Sequence, residues 1–252
     1  MSSATPSDYP RILPAGDQAV TVEFGDRIDL DLNRRVYAFA EALEEAALPG
    51  VVEAVPSYRS LLVQYDVHVT RFAALRDALT RFLDRLPEPA AGALEVAGEV
   101  FELPVLYGGD EGPDLSDVAA HAGLSPEEVI AIHSSTAYRV YMLGFAPGFP
   151  YLGGMDPRIA CPRLSTPRVR VAAGSVGIAE SQTGVYPLAG PGGWRIIGRT
   201  PVPLFTPESD PPVAILPGRF IRFAPVDAAQ AAEIESSVAA GTYTLRRREG
   251  TP

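Results

Sequence analysis

The chain contains no lysine: its 21 basic residues are all arginine, set against 31 acids for a formal net charge of −10 over 252 residues. That absence removes a Walker-type phosphate loop, a Schiff-base lysine and a Ser-Lys dyad together. Cysteine is nearly missing too. Cys161 stands alone, so no internal disulfide can form, and its setting between Ala160 and Pro162 with no histidine nearby in sequence reads as a spectator thiol. The three histidines, at 68, 121 and 133, lie far apart, and no H-x-H, H-E-x-x-H or C-x-x-C occurs, so no metal site is expected. No stretch reaches the roughly 18 apolar residues of a membrane helix, and the start MSSATPSDYP lacks a signal pattern. A soluble cytoplasmic protein without membrane contact is expected. The excess of acid argues against nucleic acid, whose phosphates need a broad basic face.

What is present concentrates between Gly144 and Gly198. Those 55 residues hold 11 of the 23 glycines, and short aromatic or β-branched runs alternate there with PGFP, GGMDP and GPGG. Closely spaced strands and tight turns need this punctuation, and a helix does not tolerate it. An all-β unit follows. From His133 to Thr200 seven arginines (139, 158, 163, 168, 170, 195, 199) meet two acids (Asp156, Glu180), a balance of 7 − 2 = +5, while the remainder carries 14 − 29 = −15. A basic, aromatic, glycine-rich segment in an acidic protein suits a small anionic ligand. The other reading pairs these arginines with acids elsewhere in the chain, and the sequence leaves both open.

Before this segment the pattern is mixed. Residues 11–24 end in the alternating strand Val20, Val22, Phe24. Leu32, Val36, Phe39, Ala40 and Leu43 then mark one helix face, closed by Pro49-Gly50. Strands follow at Val51–Val55 and Ser60–Tyr65, then a helix with Phe72, Leu75, Leu79, Phe82, Leu83 and Leu86 in register, then a strand near Val96–Val105. That order predicts a split βαβ, a ferredoxin-like α/β sandwich, with the strand after the linker free to pair in either domain. The proline- and glycine-rich linker Leu86–Ala93 sets a boundary between domains 1–90 and 91–252. Beyond it, Asp114 is expected to cap a short helix, and Ser125-Pro126-Glu127-Glu128 to open a second with a capping box, ending at His133. Strands are predicted at Ala137–Leu143, Val213–Leu216, Phe220–Phe223 and Tyr243–Arg246, with a helix at Asp227–Ala239.

A serine elbow fails at Ala173-Gly174-Ser175-Val176-Gly177, where the first glycine is replaced and no helix pattern follows; the segment reads instead as a turn in which Ser175 offers hydrogen bonds. His133 suits proton transfer or, equally, a satisfied core position. Gln182-Thr183, Tyr186 and Trp194-Arg195 alternate with glycines that let backbone approach a ligand. Arg168 and Arg199 suit forked contacts to a carboxylate or phosphate.

The strings His133-Ser134-Ser135, GFAPGFPYLGGMDPRI, GSVGIAESQTGVYPL and GPGGWRIIGRTP, with GDQAVTVEFG and SYRSLLVQYD upstream, resemble the allophanate hydrolase subunit 1 family. That family includes the sporulation-kinase inhibitor KipI and the B subunit of a bacterial ATP-dependent 5-oxoprolinase. The resemblance implies an α+β protein, a small α/β domain followed by a cyclophilin-like β-barrel. It also implies an amide or lactam hydrolase subunit, inactive without its partners. Those are a second allophanate-hydrolase-type (KipA-like) subunit, often joined by a YcsF-like one, with ATP as co-substrate. Kinase inhibition in the manner of KipI is the alternative; prolyl isomerisation rests on fold alone. Catalytic roles are expected of His133, Arg168, Gln182 and Arg199, and substrate contacts of Tyr151, Ser175, Thr183, Tyr186, Gly192, Gly193 and Trp194. Glu180-Ser181, where the family has small residues before Gln182, and Ala172, where it has proline, are departures beside that site.

Overall fold

The structure is a computed structural model that describes residues 9–86 and 98–250. The chain divides into two compact units, Met1–Leu94 and Glu95–Pro252. Most of the predicted linker, residues 87–93, lies outside the described residues.

In the first unit, β1 (Arg11–Pro14), β2 (Ala19–Glu23), β3 (Val51–Pro56) and β4 (Ser60–Tyr65) form an antiparallel sheet ordered β1-β2-β4-β3. Alternation sends Val20, Val22, Leu61 and Val63 to one face. There they pack against Val36, Phe39 and Leu43 of α1 (Leu30–Ala46) and Leu75 and Leu79 of α2 (Phe72–Leu83). The fourth strand of this α/β sandwich has a different source from the one predicted. The strand after the linker pairs in the second unit, and the place beside β2 is taken by β1, whose Ile12 packs on the same core. Asp29 caps α1 through bonds from the Asp31 and Leu32 amides.

At the other end of α1, Ala47 sits at φ 45°, ψ 52°, with its N–H on the Leu43 and Glu44 carbonyls. This left-handed cap strains any residue with a Cβ. Ala47→Gly is therefore expected to stabilise this unit by about 0.5–1 kcal/mol, read as a higher urea midpoint at unchanged slope.

The second unit is a closed seven-stranded barrel. Its strands are β5 (Gly98–Tyr107), β6 (Ala137–Leu143), β7 (Pro150–Gly153), β9 (Ser175–Ala179), β10 (Gln182–Val185), β12 (Arg195–Arg199) and β13 (Phe220–Pro225). They run in the order β12-β9-β10-β7-β6-β13-β5, and β5 returns to β12 at Tyr107↔Gly198 and Leu106↔Arg199. Every pairing is antiparallel except β13 with β5. Gly198 is required at this seam, since a Cβ there would meet Val105 Cγ1 at 2.7 Å and the Leu106 carbonyl at 2.8 Å. A smaller ribbon pairs β8 (Arg168–Val171) with β11 (Gly190–Gly192). The last strand, β14 (Arg246–Gly250), joins the first half of β5 later than predicted, because Tyr243 and Leu245 are used to pack on the core. The strand predicted at Val213–Leu216 is reduced to one bridge, Phe205↔Val213, among prolines that lack an N–H for a ladder.

Inside the barrel lie Leu103, Val105, Tyr138, Val140, Leu152, Val176, Ile178, Val185, Ile197, Ile221 and Phe223. Helices α3 (Leu115–Ala122) and α4 (Pro126–Ser135) pack on the same core through Val118, Ala119 and Val129. The Ser125–Glu128 capping box forms in both directions, as does a second, Asp227–Gln230, at α5 (Ala228–Ala239).

Candidate ligand cleft

Strands β9, β10 and β12 bury both faces. One looks into the barrel; the other carries Ala179 and Ile196, which form a separate cluster with Phe149, Val171 and, just past the end of β10 and just before β12, Tyr186 and Trp194. Gly184 makes this layer possible, because a Cβ there would approach Trp194 Cζ3 at 3.0 Å and Phe149 Cζ at 3.1 Å. Phe149 is the hub. Its ring lies 5.0 Å from Tyr151, 5.5 Å from Tyr186 and 5.5 Å from Trp194, the last two edge to face. Over them stands Phe145, 67% exposed and held at φ 61°, its ring edge-on to Phe149 and Tyr186. A bulky exposed residue in the left-handed region belongs to the strained conformations that gather at binding sites.

These rings wall a cleft of about 250 Å3, completed by Arg163, Pro167, Pro191, Gly192 and Gly193. The Leu164 amide bonds the Gly193 carbonyl at 2.8 Å, fixing the Arg163 segment against the glycine turn. The Arg163 guanidinium lies 5.9 Å from the Trp194 ring centroid. Burial raises the Tyr186 phenol above its usual range, partly offset by a hydrogen bond with the Trp194 backbone and by the nearby Arg163, so it stays protonated at neutral pH.

Behind the cleft a buried carboxylate holds the wall. Asp114 occupies the N-cap position of α3 but does not cap it: its carboxylate accepts from the Ile196 amide at 2.6 Å and from Arg168 at 2.7 Å. Arg168 also reaches the Trp194 carbonyl at 3.5 Å. The +5 segment is thus largely neutralised from outside it. Arg168 pairs with Asp114, Arg195 with Asp117 and Arg199 with Glu111 and Glu235, all brought in by the loop and helices of the acidic remainder.

Of the eleven candidate residues, Tyr151, Tyr186, Gly192, Gly193 and Trp194 meet in the cleft, and the others do not line it. Gln182 opens β10 opposite Ala179, and Ser175 is buried at the start of β9 opposite Arg199. Arg199 forks both nitrogens onto Glu111, the second at 2.8 Å. Arg199→Ala is expected to cost about 1 kcal/mol, a melting shift of roughly 2–4 °C, with ligand affinity unchanged.

His133 and Thr183 belong to the barrel interior. His133 is wholly buried and stacked on Phe223 at 4.4 Å, with Nδ1 2.7 Å from the Tyr107 hydroxyl and Nε2 2.8 Å from Thr183 Oγ1. Thr183 spends its proton on the Gly177 carbonyl, so it accepts from Nε2–H and leaves Nδ1 to accept from Tyr107. Both ring nitrogens are used. Burial drives the imidazole pKa down to about 3, so the ring is neutral at any physiological pH. His133 thus lies in the barrel core with both nitrogens satisfied and is not among the residues that line the cleft.

Sequence reasoning missed Arg163, Phe145, Phe149 and Asp114. A signal existed for Arg163: it lies in the proline-bounded stretch CPRLSTP with no acid nearby, unlike Arg158, which forks onto Asp156 two residues away. Among the described residues no group of His, Cys, Asp and Glu is arranged to hold a metal, and no helix is long and apolar enough to cross a membrane.

Residues 10–215 match the family described as carboxyltransferase domain, subdomain C and D. The chain is 46% identical over 214 residues to the 5-oxoprolinase B subunit of Bacillus subtilis, covering 82% of this chain and 89% of that protein. A crystal structure of a conserved uncharacterized protein from Pyrococcus horikoshii is 49% identical, with a TM-score of 0.51 over 87% of this chain and 99% of that one. The urea amidolyase of K. lactis, at 22% identity, superposes with a TM-score of 0.79 over 95% of this chain and 16% of its own, a likeness of fold alone.

Proposed function

Because the chain belongs to the carboxyltransferase-domain family, subdomains C and D, alongside bacterial proteins named as the B subunit of 5-oxoprolinase, we propose that it is one subunit of a lactam hydrolase that converts 5-oxo-L-proline to L-glutamate with ATP. The observation that carries this reading is the 46% identity sustained over 82% of the chain. The cleft supports it chemically. At about 250 Å3 it falls below the roughly 300–1,000 Å3 of sites for drug-sized ligands, and its aromatic walls suit the methylenes of a five-membered ring.

In such a reaction water adds to the ring carbonyl carbon, the C–N bond breaks, and the nitrogen leaves as the amine of glutamate. Negative charge builds on the carbonyl oxygen, and groups that meet it there accelerate the step. This chain's residues hold and orient the ring and exclude water from one of its faces. The cleft is too small for a nucleotide, and the chain's lack of lysine leaves no Walker-type phosphate loop. ATP handling is assigned to companion subunits, a second allophanate-hydrolase-type subunit and a YcsF-like one. The test is co-expression with those companions and measurement of glutamate released from 5-oxoproline with ATP. Turnover is expected in the assembly and not from this chain alone, and no turnover in any combination defeats the reading.

A further inference from the structure

We infer that Arg163 is the carboxylate-binding, specificity-determining residue of the aromatic cleft, which takes a small cyclic monocarboxylate with its ring on Phe149, Tyr151, Tyr186 and Trp194. Resting on the reading of the chain as a 5-oxoprolinase-type subunit, this names the substrate atoms that the subunit holds.

Three observations converge on Arg163. First, Arg158, Arg168, Arg195 and Arg199 are each bonded to a carboxylate, whereas Arg163 is exposed, with its cation–π contact to Trp194 and no hydrogen bond or ion pair among the described residues. Second, none of the ten residues lining the cleft is acidic, so Arg163 supplies the site's one formal charge, a single positive one. One cation with a vacant fork selects a monoanion, and a carboxylate matches its two parallel N–H donors. Third, the Leu164–Gly193 backbone bond holds the Arg163 segment against the cleft, and the guanidinium carbon lies 5.9 Å from the Trp194 ring centroid at its wall.

The geometry divides the ligand into two ends. The carboxylate sits at the Arg163 edge, the ring methylenes lie against the aromatic layer, and the lactam amide is left on the open side. A lactam without a carboxylate keeps the apolar contacts and forfeits the fork. Sites built around such a polar contact reject analogues lacking it more strongly than sites that only measure size.

The experiment compares wild type, Arg163→Gln and Arg163→Lys in the assembled enzyme, with 5-oxoproline as substrate and 2-pyrrolidone as a competing lactam without the carboxylate. In Arg163→Gln the KM for 5-oxoproline is expected to rise roughly ten- to hundredfold with kcat little changed, as for an interaction made equally in ground and transition states. The inhibition constant of 2-pyrrolidone should stay the same, and Arg163→Lys should fall between. An unchanged KM in Arg163→Gln, or an equal loss of 2-pyrrolidone affinity, overturns the assignment. An unchanged melting temperature of the Arg163→Gln chain confirms that the variant is folded. Failure of the broader reading shows separately, as a wild-type assembly that releases no glutamate.

Discussion

Lowering the pH from 7 to 4.5 is expected to cost the wild-type barrel roughly 2–3 kcal/mol more than it costs a His133→Phe variant. The sign follows from burial. His133 is neutral in the folded state because its pKa is pushed down to about 3, while the unfolded chain protonates it near 6.5. Its contribution is therefore complete above pH 6.5 and declines by about 1.4 kcal/mol per unit as pH falls toward 3, where the native ring also protonates. Phenylalanine keeps the volume and the stacking on Phe223 but has no proton to bind. It also leaves the Tyr107 hydroxyl and Thr183 without their partner, so the variant should be less stable at pH 7 by about 2–4 kcal/mol. Urea unfolding of both proteins across the pH range checks both effects. Carboxylates common to the two proteins cancel in the comparison, and parallel stability curves would contradict the neutral, saturated imidazole.

The fate of His133 shows where sequence reasoning ends. Its place in the last turn of α4, four residues before β6 begins, was legible from the capping box and the following alternation. Its direction was not. Whether a histidine at a helix end faces a ligand or a core depends on what the barrel brings opposite it, here Tyr107 from β5 and Thr183 from β10, 26 and 50 residues away. The same limit applied to charge. The +5 balance of the central segment was correctly counted, yet Glu111, Asp114 and Asp117 lie outside the window and meet it only through tertiary contacts. Local signals survived folding where their cause is local: the box at Ser125, the helix from Asp227, the strand alternations and the α1 stripe. The fourth strand of the N-terminal sheet failed because its cause is not local. Either flanking segment could pair with β2, and the sequence does not rank them.

Asp114 carries the second large effect, expected because its carboxylate serves two unrelated parts of the barrel at once. Asp114→Ala removes the acceptor for the buried Ile196 amide and the partner of Arg168 together. Breaking a buried pair costs about 3–5 kcal/mol. Arg168 retains about a third of its side-chain exposure and can hydrate, so a loss near the lower end, about 3 kcal/mol, is expected. Arg168→Ala should cost less, about 2 kcal/mol, because the carboxylate keeps its bond from Ile196. The double variant should then fall short of the sum by about 1–2 kcal/mol, the signature of a direct pair in a double-mutant cycle. The cleft separates both single variants from Arg199→Ala. Arg168 touches the Trp194 carbonyl, so its removal should loosen that wall, shift Trp194 emission to the red and weaken ligand binding. Arg199→Ala, which severs the fork to Glu111 and leaves the Trp194 carbonyl contact of Arg168 in place, should leave emission and binding alone. Identical emission in all three proteins would mean that the Asp114–Arg168 pair supports the fold without shaping the cleft. A red shift confined to the Asp114 and Arg168 variants would tie the acidic remainder of the chain to the geometry of its ligand site.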